Sequence, residues 1–201
     1  MRVLIAEDDP VVALGLERRV RSLGHEPIGP VGDGRDAVLA AQKTDPDLYL
    51  FDIGLPGLDG LDALAQLAQL GFSRPVVIVT GEDDRSLIER SISSGVGAYL
   101  TKPVDLRELE AAIELAAARH AELLALESQV ELGRQALEDR KVVERAKGLL
   151  MSALHLSEPD AFRRIQLAAR QRNLRLVEIA QQIVDQEDVL AQATAHGAGR
   201  R

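Results

Sequence analysis

The sequence predicts a doubly wound α/β domain, then a long helical linker, then a small all-α domain. Three observations carry that prediction. Short β-branched or apolar runs alternate with segments of helical periodicity through the first half. Beyond Pro103 the alternation stops: no proline follows until Pro159, and Gly133 and Gly148 are the only glycines between them. Finally, charge is segregated. Between Arg140 and Arg175 nine basic residues face only Glu144, Glu158 and Asp160, in a chain whose formal net charge is −8.

The alternating runs are "VLIA" (3–6), "EPIGPV" (26–31), "LYLFD" (48–52), "PVVIVT" (75–80) and "GAYLT" (97–101). Five such strand–helix units imply a parallel sheet covered on both faces, with right-handed crossovers. In sheets of this kind ligands bind outside the carboxyl ends of the strands. Asp105 with Glu108 marks the start of the next helix. One unbroken helix from there would exceed about 70 Å, so a break near Gly133 is expected. Leu109, Ile113, Ala116, His120, Leu123, Val130 and Leu137 fall close to a heptad seam, which His120, Glu127 and Arg134 weaken. The segment either pairs with a second chain or packs on its own domain. A further helix starts at Ser157, whose pairing with Asp160 resembles a capping box, with Pro159 tolerated in the first turn, and it runs to about Arg172. The apolar-periodic "LRLVEIAQQIV" follows, and "ATAHGAGRR" reads as a frayed tail.

Composition narrows the class. The chain is 46% hydrophobic and 28% charged but only 2% aromatic, so its core must be mostly aliphatic. There is no cysteine, which excludes disulfides and thiolate metal sites. No apolar run approaches the roughly 18 residues of a membrane span. The start "MRVLIAEDDP" turns acidic too early for a signal peptide, and the cytoplasm is the expected compartment.

In the predicted fold, strand one ends at "AEDD" and strand three at "FDIGLPGLDG", so Glu7, Asp8 and Asp52 meet at one sheet edge. Three carboxylates that close repel one another, and a hard divalent cation such as Mg²⁺ is the usual remedy. Thr80 ends strand four, and strand five leads to Lys102 and Pro103. A hydroxyl and an ammonium beside an acidic nest suit phosphoryl transfer, with one carboxylate attacking. Any one of these acids alone is more simply a helix cap; the full set at matching strand ends is not. Asp83 and Asp84 read as a solvated helix start. A phosphatase with an Asp nucleophile would carry a second Asp two residues later, where this chain has Gly54.

Residues 1 to about 120 resemble the receiver domain of response regulators, on Glu7 and Asp8, Asp52 in "DIGLPGLDG", Thr80 in "VIVTG", and Tyr99, Lys102 and Pro103 in "GAYLTKP". The resemblance implies a flavodoxin-like five-stranded fold in which Asp52 accepts a phosphoryl group from a histidine kinase. It implies Mg²⁺ held by Asp8 and Asp52, by Glu7 through water and by the Gly54 carbonyl. Thr80 and Tyr99 would form the switch pair and Lys102 the phosphate partner, preceding a cis Lys102–Pro103 bond. Asp9 falls outside that metal site. A protein of this kind is a phosphoacceptor rather than an enzyme, and its active form remodels the face carrying the fourth helix and fifth strand.

In the second half, "RKVVERAKGLLMSAL" (140–154) places Val142, Val143, Ala146, Leu149, Leu150, Ala153 and Leu154 on one arc, the expected buried face. Gly148 lies opposite, with Lys141, Arg145 and Ser152 around it and Arg140, Lys147 and Met151 at the flank. On the next helix Ala161, Phe162, Ile165, Ala168 and Ala169 form the core side, and Arg163, Leu167 and Arg170 run as an outer stripe. Two adjoining cationic helices point to a phosphate-bearing partner.

"ERAKGLLM" followed by "LSEPDAFRRIQLAAR" resembles the ANTAR family of RNA-binding antiterminators over about 126–186, on Ala146, Lys147, Gly148, Leu150, Met151, Ser157, Ala161, Phe162, Ala169, Leu176 and Ala180. That resemblance implies a three-helix output domain, binding to paired RNA hairpins near terminators, and a homodimer formed on phosphorylation. The expected divisions are a receiver at 1–120, a helical linker at 121–139, the ANTAR unit at 140–190 and a flexible tail at 191–201. Lys141, Arg145, Lys147, Gly148, Arg163 and Arg170 are the candidate RNA contacts. With so few aromatics, stacking on splayed bases has little support, and Arg and Lys reading hairpin shape and backbone is favoured. Gly148 either lets a phosphate or sugar approach closely or receives a partner helix. A protein partner for the basic tail is the competing reading; DNA is disfavoured because no helix-turn-helix pattern stands out.

Overall fold

The computed structural model of the chain describes residues 1–81 and 96–197. Its order is β1 (Arg2–Ala6), α1 (Pro10–Ser22), β2 (Glu26–Val31), α2 (Gly34–Thr44), β3 (Leu48–Asp52), α3 (Gly60–Gln69), β4 (Val76–Thr80) and β5 (Ala98–Thr101). Three helices follow: α4 (Leu106–Leu154), α5 (Glu158–Arg172) and α6 (Leu176–Gly197). The fourth helix of the sequence reading, with Asp83 and Asp84 at its start, lies outside the described residues. The chain divides into two compact units, Met1–Ala125 and Leu126–Arg201.

The first unit holds one parallel sheet in the order β2-β1-β3-β4-β5. Because successive side chains on a strand point to opposite faces, residue parity assigns the two core layers. Val3, Ile5, Leu48, Leu50, Val77 and Val79 pack with Leu16 and Val20 of α1 and with Leu109 and Ile113 of α4. Leu4, Ala6, Tyr49, Phe51, Val76 and Ile78 pack with the apolar faces of α2 and α3. A strand buried on both sides has no polar alternation, which is why β1, β3 and β4 read as continuous apolar runs.

Each described helix that follows a strand begins at a carboxylate, Asp105 among them through Arg107 N. Asp9 Oδ1 accepts hydrogen bonds from the backbone N–H groups of Val11 (2.7 Å) and Val12 (3.2 Å). Asp33 caps α2 through Arg35 N, and Asp59 caps α3 through Asp62 N. These side chains satisfy donors that a helix start leaves open. The Lys102–Pro103 and Gly29–Pro30 bonds are both cis.

Two expectations for the helical half change. First, α4 runs through Gly133 without interruption. A glycine costs a helix about 1 kcal/mol, and the long run of good helix formers around this one absorbs that cost, so 121–139 is the middle of one helix rather than a separate element. Second, the heptad seam serves two purposes. Leu109, Ile113 and Ala116 are buried against the sheet, whereas Leu123, Val130 and Leu137 are 49%, 71% and 55% exposed. The tail beyond residue 190 continues α6 as far as Gly197.

In the second unit Ala146, Ile165, Ala169, Ile179, Ala180 and Val184 form the core, flanked by Val142, Val143, Leu149, Leu150, Ala168, Leu176 and Ile183. The expected arc on α4 is therefore right from Val142 to Leu150, but Ala153 and Leu154 are exposed because α4 ends there and, among the described residues, none buries its last turn. Ser157 caps α5, with Asp160 N donating to its Oγ at 3.4 Å, and Asn173 closes the helix in the left-handed conformation, φ 52°. Glu178 caps α6 in turn, its Oε2 accepting from Arg175 N at 2.7 Å.

Candidate functional site

At the carboxyl edge of the sheet, β1 delivers Glu7 and Asp8, β3 ends in Asp52, and the segment after β5 delivers Lys102. Carboxylate oxygens of Glu7, Asp8 and Asp52 lie within 4.8 Å of one another. The Lys102 ammonium reaches into this cluster: its Nζ is 2.6 Å from Asp52 Oδ2 and 2.9 and 2.8 Å from the two Glu7 oxygens. The Glu7 side chain is fully buried, that of Asp52 nearly so, and Asp8 is exposed.

Burial holds the Glu7 carboxyl above its ordinary value, and the nearby Asp52 charge adds to that; the hydrogen bond from Lys102 pulls the other way. Burial alone would draw the Lys102 ammonium down, but its bonds to Asp52 and Glu7 outweigh this and hold it above its usual value. Two of the three carboxylates therefore share the Lys102 ammonium, and the third, Asp8, adds further negative charge. An all-oxygen donor set with surplus negative charge fits a hard divalent cation, and Gly54 leaves the approach open, since a Cβ there would come no closer than 3.9 Å to Asp52 Oδ2. Gly54 N also donates to Asp52 Oδ1 at 3.3 Å, fixing the carboxylate from the other side.

Thr80 is buried at the end of β4, with its hydroxyl 3.3 Å from the Gly81 carbonyl. Tyr99 lies on β5 directly beside Ile78 and is half-buried against the α2–α3 layer. The sheet thus brings Glu7, Asp8, Asp52 and Lys102 together and sets Thr80 on the strand next to Asp52. Asp9 is a helix cap, as its position outside the cluster predicts.

One residue of this edge was only faintly marked in the sequence. Gly60 opens α3, and a Cβ on it would lie 2.0 Å from the Asp52 carbonyl oxygen. The helix start is pressed against the strand end that carries the acid. Only a glycine in the "GLDG" run hinted at it.

In the second unit Lys141, Arg145, Gly148, Arg163 and Arg170 are all exposed, as expected. Lys147 is not. Expected at the flank among the RNA contacts, it is 8% exposed, with its Nζ 2.8 Å from Glu144, 2.6 Å from Glu158 and 5.9 Å from the Phe162 ring centroid. The hydrogen bonds it donates to Glu144 and Glu158 hold this ammonium above its ordinary value, and Lys147 in turn holds the Glu158 carboxyl below its own. Lys147 joins α4 to the first turn of α5, so its charge is already engaged. The Glu144 partner was legible at i, i+3; Glu158 and Phe162 come from another helix.

Gly148 is exposed, and a Cβ added there meets nothing within 4 Å. Gly148→Ala is therefore expected to stabilise the second unit by about 1 kcal/mol through helix propensity alone, read as a raised denaturation midpoint. An RNA affinity that falls at the same time would identify close approach of RNA as the reason for the glycine; unchanged affinity would eliminate that role.

Residues 3–114 match the response regulator receiver domain family, and residues 133–184 match the ANTAR domain family. Over 184 residues the chain is 41% identical to the transcriptional regulatory protein PdtaR of Mycobacterium tuberculosis, covering 92% of this chain and 89% of that protein. The response regulator protein PmrA of Pseudomonas aeruginosa is 36% identical over 113 residues, 56% of this chain and 51% of its own length. Among solved structures, the signal receiver domain of a modulated diguanylate cyclase from Desulfovibrio desulfuricans superposes with a TM-score of 0.55 at 34% identity, over 60% of this chain and 95% of that one. Both matched families are signalling domains. With a receiver family covering more than half its length and a relative aligned almost end to end, the chain belongs to the response regulators, and its output domain is of the ANTAR family.

Proposed function

We propose that the protein is a phosphorylation-controlled regulator that binds paired RNA hairpins and antagonises transcription termination. The observation that carries the input half is the placement of Lys102 Nζ 2.6 Å from Asp52 Oδ2 beside two further carboxylates. An Asp52 oxygen attacks the phosphorus of a phosphohistidine on a histidine kinase; the P–N bond breaks as the P–O bond forms. Lys102 exchanges its bond to the carboxylate for one to a phosphoryl oxygen. Glu7, Asp8, Asp52 and the Gly54 carbonyl would hold Mg²⁺, which when bound neutralises phosphoryl charge.

Phosphorylation adds about 1.5–2 negative charges at Asp52. Thr80 turns its hydroxyl toward them, and Tyr99 takes up the space behind it. The output follows from a change of population. Leu123, Leu126, Val130 and Leu137, each about half-exposed or more on α4, become a pairing surface for a second copy. The homodimer presents two ANTAR units, whose exposed Lys141, Arg145, Gly148, Arg163 and Arg170 meet the two hairpins. Linked sites raise affinity by avidity without new contacts. In this division 1–120 senses, 121–139 couples and 140–190 reads RNA, all in the cytoplasm.

The test is binding of a labelled two-hairpin RNA, with mass followed by light scattering, with and without acetyl phosphate and Mg²⁺. Wild type is expected to double its mass and bind at least tenfold more tightly when phosphorylated (about 1.4 kcal/mol). Asp52→Asn is expected to take up no phosphate and to change in neither respect. Absence of RNA binding in every state would turn the reading toward a protein partner for the basic surface.

A further inference from the structure

The scarcity of aromatics lends base stacking little support from the sequence. The structure nevertheless puts Phe162, half-buried, in the wall of an open hollow of about 420 Å³, a size within the range of about 300–1,000 Å³ common to small-ligand sites. The hollow lies within the second unit, between the last third of α4, the start of α5 and the start of α6. Val143, Phe162, Leu176 and Val177 give it an apolar lining, and Arg140 and Arg175 line it as well. Asp139 and Glu144 supply the remaining polar groups.

These groups divide by what is already engaged. Glu144 is tied to Lys147 at 2.8 Å, so its charge is balanced within the protein. Asp139 accepts a hydrogen bond from Gln135 Nε2 through one oxygen, Oδ1, at 2.7 Å. Arg175 meets Glu178 at 3.4 Å, but both side chains are exposed, and such a pair holds weakly enough to exchange partners. Arg140, on α4, is exposed. An occupant that suits all of this is flat, apolar on its faces, bears N–H donors at one edge for Asp139, and carries anions on either side for the two guanidinium groups. An unstacked nucleotide has that chemistry: a base with an amino group, flanked by its own 5′ and 3′ phosphates. Adenine, cytosine and guanine offer the donor edge; uracil has no amino group.

We propose that this hollow takes one unpaired base from an RNA hairpin loop, with Phe162 against its face, Asp139 on its amino edge and Arg140 and Arg175 on the adjoining phosphates. The proposal rests on the RNA-binding reading and adds to it a point of base recognition. The backbone contacts of Arg163 and Arg170 would position the hairpin, and this hollow would read one nucleotide of it.

The test is a double-mutant cycle on the full-length chain, phosphorylated with acetyl phosphate in Mg²⁺. Wild type, Phe162→Leu and Arg140→Gln are titrated with two-hairpin RNAs in which each loop nucleotide in turn is made abasic. At one loop position the abasic change is expected to cost wild type about tenfold or more in affinity, the scale of one stacked base. It should cost Phe162→Leu little, since the aromatic face is already gone. A 2-aminopurine placed at that position should change its fluorescence on binding wild type and not on binding Phe162→Leu. Arg140→Gln, an exposed change that leaves the core intact, should weaken binding and flatten its salt dependence. If every abasic substitution costs Phe162→Leu as much as it costs wild type, the hollow reads no base, and the inference fails while RNA binding stands. If Phe162→Leu does not fold, an unaltered affinity and salt slope in Arg140→Gln overturns the proposal. If phosphorylated wild type binds none of the RNAs, the RNA-binding reading fails and this inference with it.

Discussion

Lys102→Met is expected to lower the stability of the receiver domain by about 3 kcal/mol at neutral pH in the absence of divalent cations, the range for removing one partner of a buried ion pair. The methionine stem fills much of the same volume, so the loss is electrostatic. Glu7 has a fully buried side chain, and Asp52 sits beside it. Without the ammonium, two neighbouring carboxylates face each other across a poorly solvated gap.

The pH dependence has a definite sign. The Glu7 carboxyl is held above its ordinary 4.5 in the fold, so folding favours its protonated form. Its contribution is fully present below about pH 4.5 and is lost as pH rises through the folded value. Lys102 limits that loss, because its own raised value keeps it charged until pH climbs past the ordinary 10.5. The gap between wild type and Lys102→Met should therefore be wide at pH 7 and narrow toward pH 4, as Glu7 takes up a proton. Added Mg²⁺ should restore more stability to the variant than to wild type, since the cation replaces charge that only the variant lacks. Thermal melts followed by circular dichroism at pH 4 and pH 7, with EDTA and with Mg²⁺, measure all four quantities. An equal loss at both pH values would assign the role of Lys102 to packing of its stem. Phosphoryl uptake by the variant from acetyl phosphate should fall in parallel, because the acceptor loses the group that balances incoming phosphoryl charge.

Gly60→Ala is the second change with a large expected effect. Its Cβ would lie 2.0 Å from the Asp52 carbonyl oxygen and 3.2 Å from the Ile53 Cα. Both neighbours are main chain, so no rotamer relieves the overlap, and either α3 moves outward or the end of β3 shifts. Overpacking at side chains commonly costs about 1–3 kcal/mol, and this contact with backbone should reach or exceed the upper end. Because the displaced segment carries Asp52, phosphoryl uptake should drop even in the fraction that folds. Gly133→Ala is the matching control. It sits inside α4, where a Cβ meets nothing within 4 Å, and should raise stability by about 1 kcal/mol. Urea denaturation of both variants, with uptake measured alongside, checks the pair. A Gly60→Ala protein as stable as wild type would mean that α3 is not seated on the strand end.

The two units differ in how far local pattern governs them. In the receiver half, strands covered on both faces leave an unmistakable apolar signature, and acids at their carboxyl ends are carried to one edge by topology alone. That is why Glu7, Asp8, Asp52 and Lys102 group together on sequence alone, and why the caps at Asp105 and Ser157 are legible there. Helix periodicity likewise located the buried face from Val142 to Leu150.

Where the chain's behaviour depends on what lies opposite a residue in space, the sequence was silent or misleading. Gly133 resembles a break because propensity is summed locally, yet the helix formers on either side carry α4 through it. Ala153 and Leu154 continue the apolar arc, but burial needs a covering element and the helix stops. Lys147 has the composition of a nucleic-acid contact; Glu158 and Phe162, brought to it from α5, make it part of the interior instead. Gly60 and the hollow around Phe162 carry no periodic signal at all, since each is a contact between elements distant in the sequence. The sequence by itself determined the sheet, the acidic edge and the cationic character of the second unit, all of which follow from side-chain type at fixed spacing. Only the tertiary structure decided which cations remain available to a partner and where a glycine is sterically required, because both are set by distances across helices.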